Sequence, residues 1–325
     1  MSSDAVKSAY DALAAGEASQ AEALLRSAGN HGDPDALFEF ACWYLAGDKL
    51  PRNLPMARGL LKRAVEIGHV DAALMDIAFT ANGTGGSIDW QGAVSLLESA
   101  SKSDALAAQH LELLTAMSLD EHGAPLAIAD GQLLNSDPKI RHIPGFCSPI
   151  EAAHIVSIVL GSLEPATVLD PVSGKQIAHS IRTADYATVG PAEESLVVQA
   201  INRRIAAATG TAVFQGEPTS VMRYGIGQQY RLHMDALPVA TNQRITTAIL
   251  YLNHGFTGGQ TIFPQLDLII TPHIGDLLIF DNVDTLGRPE QLSRHAGLPV
   301  TAGTKWIATR WIREKSYNPW TDYGK

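Results

Sequence analysis

Residues 229–235 read Gln-Tyr-Arg-Leu-His-Met-Asp, a short run with the character of a β-strand. Residues i and i+2 of a strand point to the same side, so His233 and Asp235 converge on one point. An imidazole beside a carboxylate suits a metal ion, yet a histidine in such a run is more often a hydrogen-bonded structural residue. The run alone leaves both interpretations open.

Further strand-like runs surround this segment, and no helix-length pattern separates them. They occupy residues 220–224, 229–234, 245–252, 268–271, 276–280 and 306–312. Because strands and helices do not alternate here, the pattern favours an antiparallel sandwich or roll over a parallel sheet. Upstream we predict a strand at 139–146 and helices at 149–160 and 192–208, with Ser148 and Glu151 forming a capping box.

The first part of the chain is rich in alanine and leucine, and it repeats. Helical patterns restart at Asp35, Asp71 and Asp104, which are 36 and 33 residues apart. Helix pairs with this period stack side by side, because one pair alone cannot bury its apolar face. Residues 1–120 resemble the Sel1-like relatives of the tetratricopeptide repeat, although a helical bundle with accidental periodicity is the alternative. Residues 120–138 are loosely patterned and predict a connector with some helix.

The composition is that of a globular protein, with 46% hydrophobic and 18% charged residues. A net charge of −10 disfavours non-specific binding to nucleic acid phosphates and docking on an anionic membrane. We find no apolar run near the roughly 20 residues of a membrane helix, and no signal peptide. Two cysteines, Cys42 and Cys147, are too few for a disulfide framework, so we expect a cytoplasmic protein.

A third metal ligand would complete the pair formed by His233 and Asp235, and His295 is the best candidate. Two histidines and one carboxylate on one face leave open positions, as in non-haem iron(II) oxygenases. Lys305 follows His295 by ten residues, and a turn at Ala302-Gly303 could bring it back beside the metal. There its cation would suit a dicarboxylate, whereas the alternative is a surface lysine at the start of a strand.

A series of motifs in the same order resembles prolyl 4-hydroxylase-type 2-oxoglutarate oxygenases over roughly residues 138–315. The C-terminal motif begins at His295 and includes Gly303, Lys305 and Trp311. Others are Arg223-Tyr224 through Asp235, Gly258-Gly259-x-Thr261-x-Phe263-Pro264, Gly275-Asp276-x-Leu278-x-Phe280, and Ile143-Pro144-Gly145-Phe146. Arg244 and Leu250-Tyr251-Leu252 also match the middle of that domain.

The resemblance implies an α+β chain in which a double-stranded β-helix, or jelly roll, follows the helical repeats. We therefore place the repeats at 1–125, a connector at 126–137 and the oxygenase domain at 138–325. The resemblance also implies His233, Asp235 and His295 as iron(II) ligands, Lys305 as the 2-oxoglutarate anchor and Tyr224 as a cosubstrate contact. Arg244, Trp311 and, more weakly, Tyr230 match positions that line the substrate groove, with sheet packing as their alternative.

The sequence departs from the family pattern around the substrate side. Gln260 stands where glutamate is frequent, Arg294 precedes the last ligand where an apolar residue is usual, and Asp281-Asn282 replaces a common aromatic. None of these changes removes a metal ligand. The departures therefore leave the substrate, rather than the chemistry, open.

The resulting functional hypothesis is a dioxygenase that hydroxylates a prolyl residue of a peptide or protein. It would consume O₂ and 2-oxoglutarate, release succinate and CO₂, and use L-ascorbate to rescue oxidised iron. The helical repeats would dock the substrate. Two alternatives are a hydroxylase of a free amino acid or other small molecule, and a non-catalytic repeat scaffold that senses iron or 2-oxoglutarate.

Overall fold

The structure is a computed structural model that describes residues 3–169, 176–178 and 181–322. The chain divides into two compact units. The first comprises residues 1–123 and 191–199, and the second comprises residues 124–190 and 200–325. Among the described residues, no helix combines the length and apolar character needed to cross a membrane.

The first unit consists of short helices, each packed mainly on its neighbours in the chain. They are α1 (Asp4–Ala14), α2 (Ala18–Asn30), α3 (Pro34–Ala46), α4 (Leu54–Glu66), α5 (Val70–Asn82), α6 (Trp90–Ala100) and α7 (Ala105–Thr115). This nearest-neighbour packing is typical of a helical repeat, in which successive pairs bury one another's apolar faces. The predicted helical repeat architecture is confirmed.

The repeat is visible in how the helices begin and end. Asp33 and His69 cap α3 and α5 by accepting from the backbone N–H three residues on. Both helices end at a left-handed glycine, Gly47 or Gly83. Asn53 and Asp89 then cap α4 and α6. Every equivalent pair is 36 residues apart, which is the first of the two spacings predicted from the sequence.

The second unit is built from antiparallel strands with two helices, α8 (Pro149–Val159) and α9 (Leu196–Thr209). The first residues of α9, up to Gln199, group with the first unit. The strands are β1 (Gln132–Ser136), β2 (Lys139–Ile143), β3 (Glu164–Pro165), β4 (Thr167–Leu169), β5 (Gln176–Ala178), β6 (Asp185–Val189), β7 (Thr219–Tyr224), β8 (Tyr230–His233), β9 (Arg244–Tyr251), β10 (Thr257–Gly258), β11 (Thr261–Phe263), β12 (Leu268–Ile270), β13 (Leu277–Asp281), β14 (His295–Gly297), β15 (Val300–Ala302) and β16 (Lys305–Arg313).

Two sheets face each other across one core. The larger has the order β1-β2-β13-β9-β16-β7-β6-β3, and the smaller has the order β12-β11-β14-β8. Phe280 of the larger sheet and Phe263 of the smaller one meet edge to face, with ring centroids 5.2 Å apart. Side chains of both sheets form a single buried cluster. The predicted double-stranded β-helix is confirmed.

Two sequence-based predictions need correction. Residues 120–138 were expected to be a connector with some helix, but they contain no helix and include β1, which pairs with β2. The expected start of the helix at 192 is also too early. Ser195 accepts from the backbone N–H of Val198, so α9 begins at Leu196. The predicted capping box of Ser148 and Glu151 at the start of α8 is confirmed.

Gly275 lies in the turn before β13, where its backbone approaches that of Cys147, just before α8. Its backbone has φ +84°, and a Cβ there would lie 1.9 Å from the carbonyl oxygen of Cys147. The Gly275 N–H donates to Tyr251, and its carbonyl accepts from Cys147, so the backbone cannot easily move away. Only glycine fits such a position without strain.

We therefore predict that Gly275→Ala lowers the free energy of unfolding of this unit by about 3 kcal/mol, combining backbone strain and overpacking. Gly287→Ala is the matched control, since Gly287 has φ +74° and open space around its Cβ position. It should lose only about 1 kcal/mol. Urea unfolding measures both, and equal losses would show that the approach to Cys147 is unimportant.

Candidate metal centre and cosubstrate cavity

Two neighbouring strands of the smaller sheet, and the bend that follows one of them, bring three ligand side chains together. His295 of β14 lies opposite His233 of β8 in the antiparallel register, and Asp235 follows two residues after His233. Nε2 of His233 lies 3.5 Å from Oδ1 of Asp235, and Nε2 of His295 lies 3.8 Å from Oδ2. The ligand atoms all fall within 4.8 Å of one another, a spacing that can hold one metal ion.

Backbone carbonyls orient both imidazoles for metal binding. Nδ1 of His233 lies 2.8 Å from the carbonyl oxygen of Arg231, and Nδ1 of His295 lies 3.1 Å from that of Ser293. A proton on each Nδ1 makes these hydrogen bonds and leaves each Nε2 with its lone pair free for a metal. Burial lowers the pKa of His295 to about 4, which keeps its ring neutral at physiological pH.

The third ligand is held by a hydrogen-bonded relay from the larger sheet. The Thr247 hydroxyl of β9 donates to Oδ2 of Asp235 at 2.8 Å. The Asn282 amide in turn donates to the Thr247 hydroxyl, also at 2.8 Å. Both relay residues are fully buried. Because the Thr247 hydroxyl oxygen accepts from the Asn282 amide, its own proton points to Oδ2 of Asp235. Oδ1 of Asp235 then remains available for a metal.

The charge on Asp235 is stabilised by the same surroundings. Burial alone would raise its pKa, but His295, His233 and Thr247 together hold the pKa well below the ordinary value. The carboxyl is therefore ionised, as a metal ligand must be. Sequence reasoning missed this relay, because no motif links Thr247 or Asn282 to Asp235. The only signal was the departure from the family pattern at Asp281-Asn282.

Lys305 lies inside the same cavity as the three ligands. It begins β16 opposite Tyr224 of β7, and the predicted turn at Ala302-Gly303 brings it there. Its side chain is only 3% exposed, and Nζ donates to the carbonyl oxygen of Gly259 at 2.6 Å. Burial lowers the pKa of Lys305 to about 8. No described carboxylate forms an ion pair with Nζ, so an anionic ligand would supply the missing charge.

Three of the other predicted residues line this cavity. Tyr224 is buried, and its hydroxyl contacts the sulfur of Met222 at 3.4 Å. Tyr230 stacks on the His233 ring with centroids 3.4 Å apart. Trp311 is 7% exposed, and its indole N–H makes no hydrogen bond within the described part of the chain. The structure therefore brings each of them beside the metal ligands or the lysine.

Arg244 does not line the cavity directly. Its guanidinium is paired with Glu217, with Nε 2.5 Å from Oε1 and Nη2 2.8 Å from Oε2. It also lies over the Trp311 ring, with Cζ 4.0 Å from the centroid. Arg313 contributes a second cation to Glu217 at 2.6 Å. Arg244 is thus a support for Trp311 in this structure, and its predicted contact with substrate stays a prediction.

Comparison with known proteins places this site in a family. Residues 219–313 match the model of the 2OG-Fe(II) oxygenase superfamily. The probable prolyl 4-hydroxylase 9 of Arabidopsis thaliana is 30% identical over 206 residues, covering 57% of this chain and 72% of that protein. The chain belongs to the prolyl 4-hydroxylase family. Family membership implies that this oxidoreductase uses iron(II) as its cofactor and 2-oxoglutarate and O₂ as cosubstrates.

Two solved structures match parts of this prolyl 4-hydroxylase family member. A viral collagen prolyl hydroxylase from Paramecium bursaria Chlorella virus-1, in complex with 2OG, has a TM-score of 0.44 and 28% identity. The similarity covers 54% of this chain and 95% of that one. A Sel1 repeat protein from Oxalobacter formigenes has a TM-score of 0.30 and 21% identity, over 33% of this chain and 85% of that one.

The residues present fit the cofactor and cosubstrate of the family. Two imidazoles and one carboxylate are the donor set of non-haem iron(II) oxygenases, which keep positions open for other ligands. A buried lysine without a carboxylate partner in the described structure suits a dicarboxylate. Both features lie in one cavity.

We predict that Thr247→Val weakens iron(II) binding by about tenfold, because loss of a supporting hydrogen bond leaves Asp235 free to turn. Competition with a fluorescent chelator under anaerobic conditions measures the affinity. Thr219→Val is the matched control, since this buried threonine on β7 also loses a hydrogen bond, here to Asn202 at 3.1 Å. Unchanged affinity in both variants would contradict the relay's role.

We also predict that 2-oxoglutarate affinity falls as the pH rises through about 8, where Lys305 loses its proton. The sign follows because the dicarboxylate binds the cationic form, and burial already disfavours that form. Calorimetry with a metal-loaded, oxygen-free protein measures the affinity between about pH 7 and 9. Lys305→Arg keeps its charge throughout and should lose this dependence, whatever its absolute affinity. A flat profile in the unaltered protein would reject the assignment.

Proposed function

We propose that this protein hydroxylates a prolyl residue of a peptide or protein, with conversion of 2-oxoglutarate and O₂ to succinate and CO₂. The observation that carries the proposal is the buried Lys305 beside His233, Asp235 and His295 in one cavity. Membership of the prolyl 4-hydroxylase family supports the prolyl substrate.

Each group of side chains has a separate role in this proposal. His233, Asp235 and His295 hold iron(II) on one side, while Lys305 binds the distal carboxylate of 2-oxoglutarate. The bound iron and cosubstrate supply the oxidising chemistry for the hydroxylation. Tyr224 borders the carboxylate end of the cavity and contributes to excluding water. The protein thus supplies geometry and shielding rather than a proton donor.

The substrate wall of the cavity is built around Trp311. The Glu217–Arg244 pair supports the Trp311 ring, because the guanidinium lies over it, and the indole N–H remains available to donate to a substrate carbonyl. An aromatic face held in this way offers an apolar surface for a prolyl ring. Tyr230 lines the cavity near His233 and, in this proposal, also contacts the substrate.

Ascorbate, the docking role of the repeats and the cytoplasmic location are further parts of the proposal. Family membership supports ascorbate as the reductant of iron oxidised in turnovers without substrate. The helical repeat architecture supports docking, since stacked helices expose extended surfaces. The free state of Cys42 and Cys147 supports a reducing compartment.

Mass spectrometry of peptides incubated with the protein, iron(II) and 2-oxoglutarate tests the activity. We expect a one-oxygen gain on proline, with succinate released in equal amount, and no gain with His295→Ala. Hydroxylation of free proline but of no peptide would instead support the small-molecule alternative. Absence of any turnover despite bound iron would support the non-catalytic scaffold.

A further inference from the structure

The two compact units differ sharply in charge. The helical unit, residues 1–123 and 191–199, contains 19 acidic and eight basic residues, a net charge of −11. The oxygenase unit contains 15 acidic and 16 basic residues, a net charge of +1. The net negative charge of the chain therefore lies on the helical unit. Such a surface attracts cationic partners and repels anionic ones.

A groove with a partly apolar floor runs along α4, α5, α6 and α7 of this unit. It consists of two adjoining clefts of about 250 and 610 Å³, which share Val65, Asp76 and Leu96 as lining residues. Leu74 and Val65 are half-buried in it, while Val70 and Leu96 are 48% and 37% exposed. Apolar side chains are thus left accessible along the length of the groove.

Carboxylates border this floor. Glu66, Asp89 and Asp104 line the clefts. Asp89 and Asp104 each accept a backbone N–H at a helix start through Oδ1, which leaves their charge in place. The other acidic lining residue, Asp76, is neutralised by the buried Arg58 at 2.9 Å. Lys62 also lines the groove, so its three carboxylates outweigh this cation.

We propose that this groove binds a lysine- or arginine-bearing segment of the protein that the oxygenase hydroxylates, an inference that rests on the proposed function. The aliphatic stems of such side chains pack on apolar surface while their charged heads reach the rim. That division matches a floor of Val65, Leu74 and Leu96 beneath the carboxylates of Glu66, Asp89 and Asp104.

Other occupants fit this groove less well. An acidic segment or a nucleic acid phosphate would be repelled by the rim and by the charge of the unit. A purely apolar helix would cover the floor but desolvate three carboxylates without a partner, which is unfavourable. A basic segment packs its aliphatic stems on the apolar floor and pairs its charges with the carboxylates that border it.

A fluorescently labelled peptide of alternating lysine and alanine, added to the full chain, tests the groove by anisotropy. We expect binding that weakens with added salt, and none for the corresponding glutamate peptide. The groove variant, Glu66→Gln with Asp89→Asn and Asp104→Asn, should bind the lysine peptide about tenfold more weakly, since each exposed ion pair contributes modestly. Asparagine retains the capping ability of both aspartates.

The control variant combines Asp11→Asn, Asp71→Asn and Glu98→Gln, three exposed residues of the same unit that do not line either cleft. It changes the net charge equally and should bind within about twofold of the unaltered chain. Equal weakening in both variants would show that overall charge, and not the groove, causes the binding, and would overturn the proposal. Unchanged binding in the groove variant would overturn it as well.

The test is separable from the proposed activity. His295→Ala should bind the lysine peptide normally, and the groove variant should hydroxylate a short lysine-free prolyl peptide at the unaltered rate. For a prolyl peptide extended by a lysine tract, the groove variant should raise KM and leave kcat unchanged. An equal KM for the extended peptide in the groove and control variants would refute recruitment by the groove, even with activity intact.

Discussion

His295 lies opposite His233 in the antiparallel ladder between β14 and β8, and this pairing sets the position of the other site residues. Side chains alternate along a strand, so a slip of one residue would turn one imidazole to the other face of the sheet. Contacts with the larger sheet hold the register between β14 and β8. Phe280 of the larger sheet packs against His295, with ring centroids 4.6 Å apart. Packing of the two sheets therefore determines whether the ligands converge.

The sandwich also explains how a lysine comes to be buried. Lys305 is the first residue of β16, a central strand of the larger sheet. Its Nζ lies 5.7 Å from the ring centroid of Tyr224 and 5.6 Å from that of Tyr251. Burying a cation that has no carboxylate partner among the described residues is unfavourable, and this burial lowers the pKa of Lys305 to about 8. A dicarboxylate that binds there relieves this penalty, because its charge pairs with the buried ammonium group. The same burial makes the pocket selective, because a neutral ligand would leave the cation unpaired.

The sequence was informative where chemistry depends on local spacing and silent where it depends on pairing between sheets. The spacing of His233 and Asp235 suggested a metal pair, and the family motifs assigned them and Lys305 their roles. β8 ends at His233, so Asp235 reaches the site from the bend after the strand rather than from the strand itself. Thr247 and Asn282 could not be predicted, since their contact with Asp235 arises when β9 and β13 pack against the smaller sheet. β1 was missed because it is an edge strand with a bulge between Leu133 and Asn135, and its mostly exposed side chains do not alternate.

The division of charge suits the two recognition tasks of the proposed enzyme. A 2-oxoglutarate dianion needs surroundings that are neutral or cationic, and the oxygenase unit has a net charge of +1. A basic partner needs the opposite, and the helical unit has −11. Salt screens exposed charges beyond about 8 Å at physiological ionic strength, so one chain can maintain both fields. In the proposed function, the acidic residues of the repeats recruit a basic substrate, while the metal and cosubstrate ligands keep the electrostatics that their own chemistry requires.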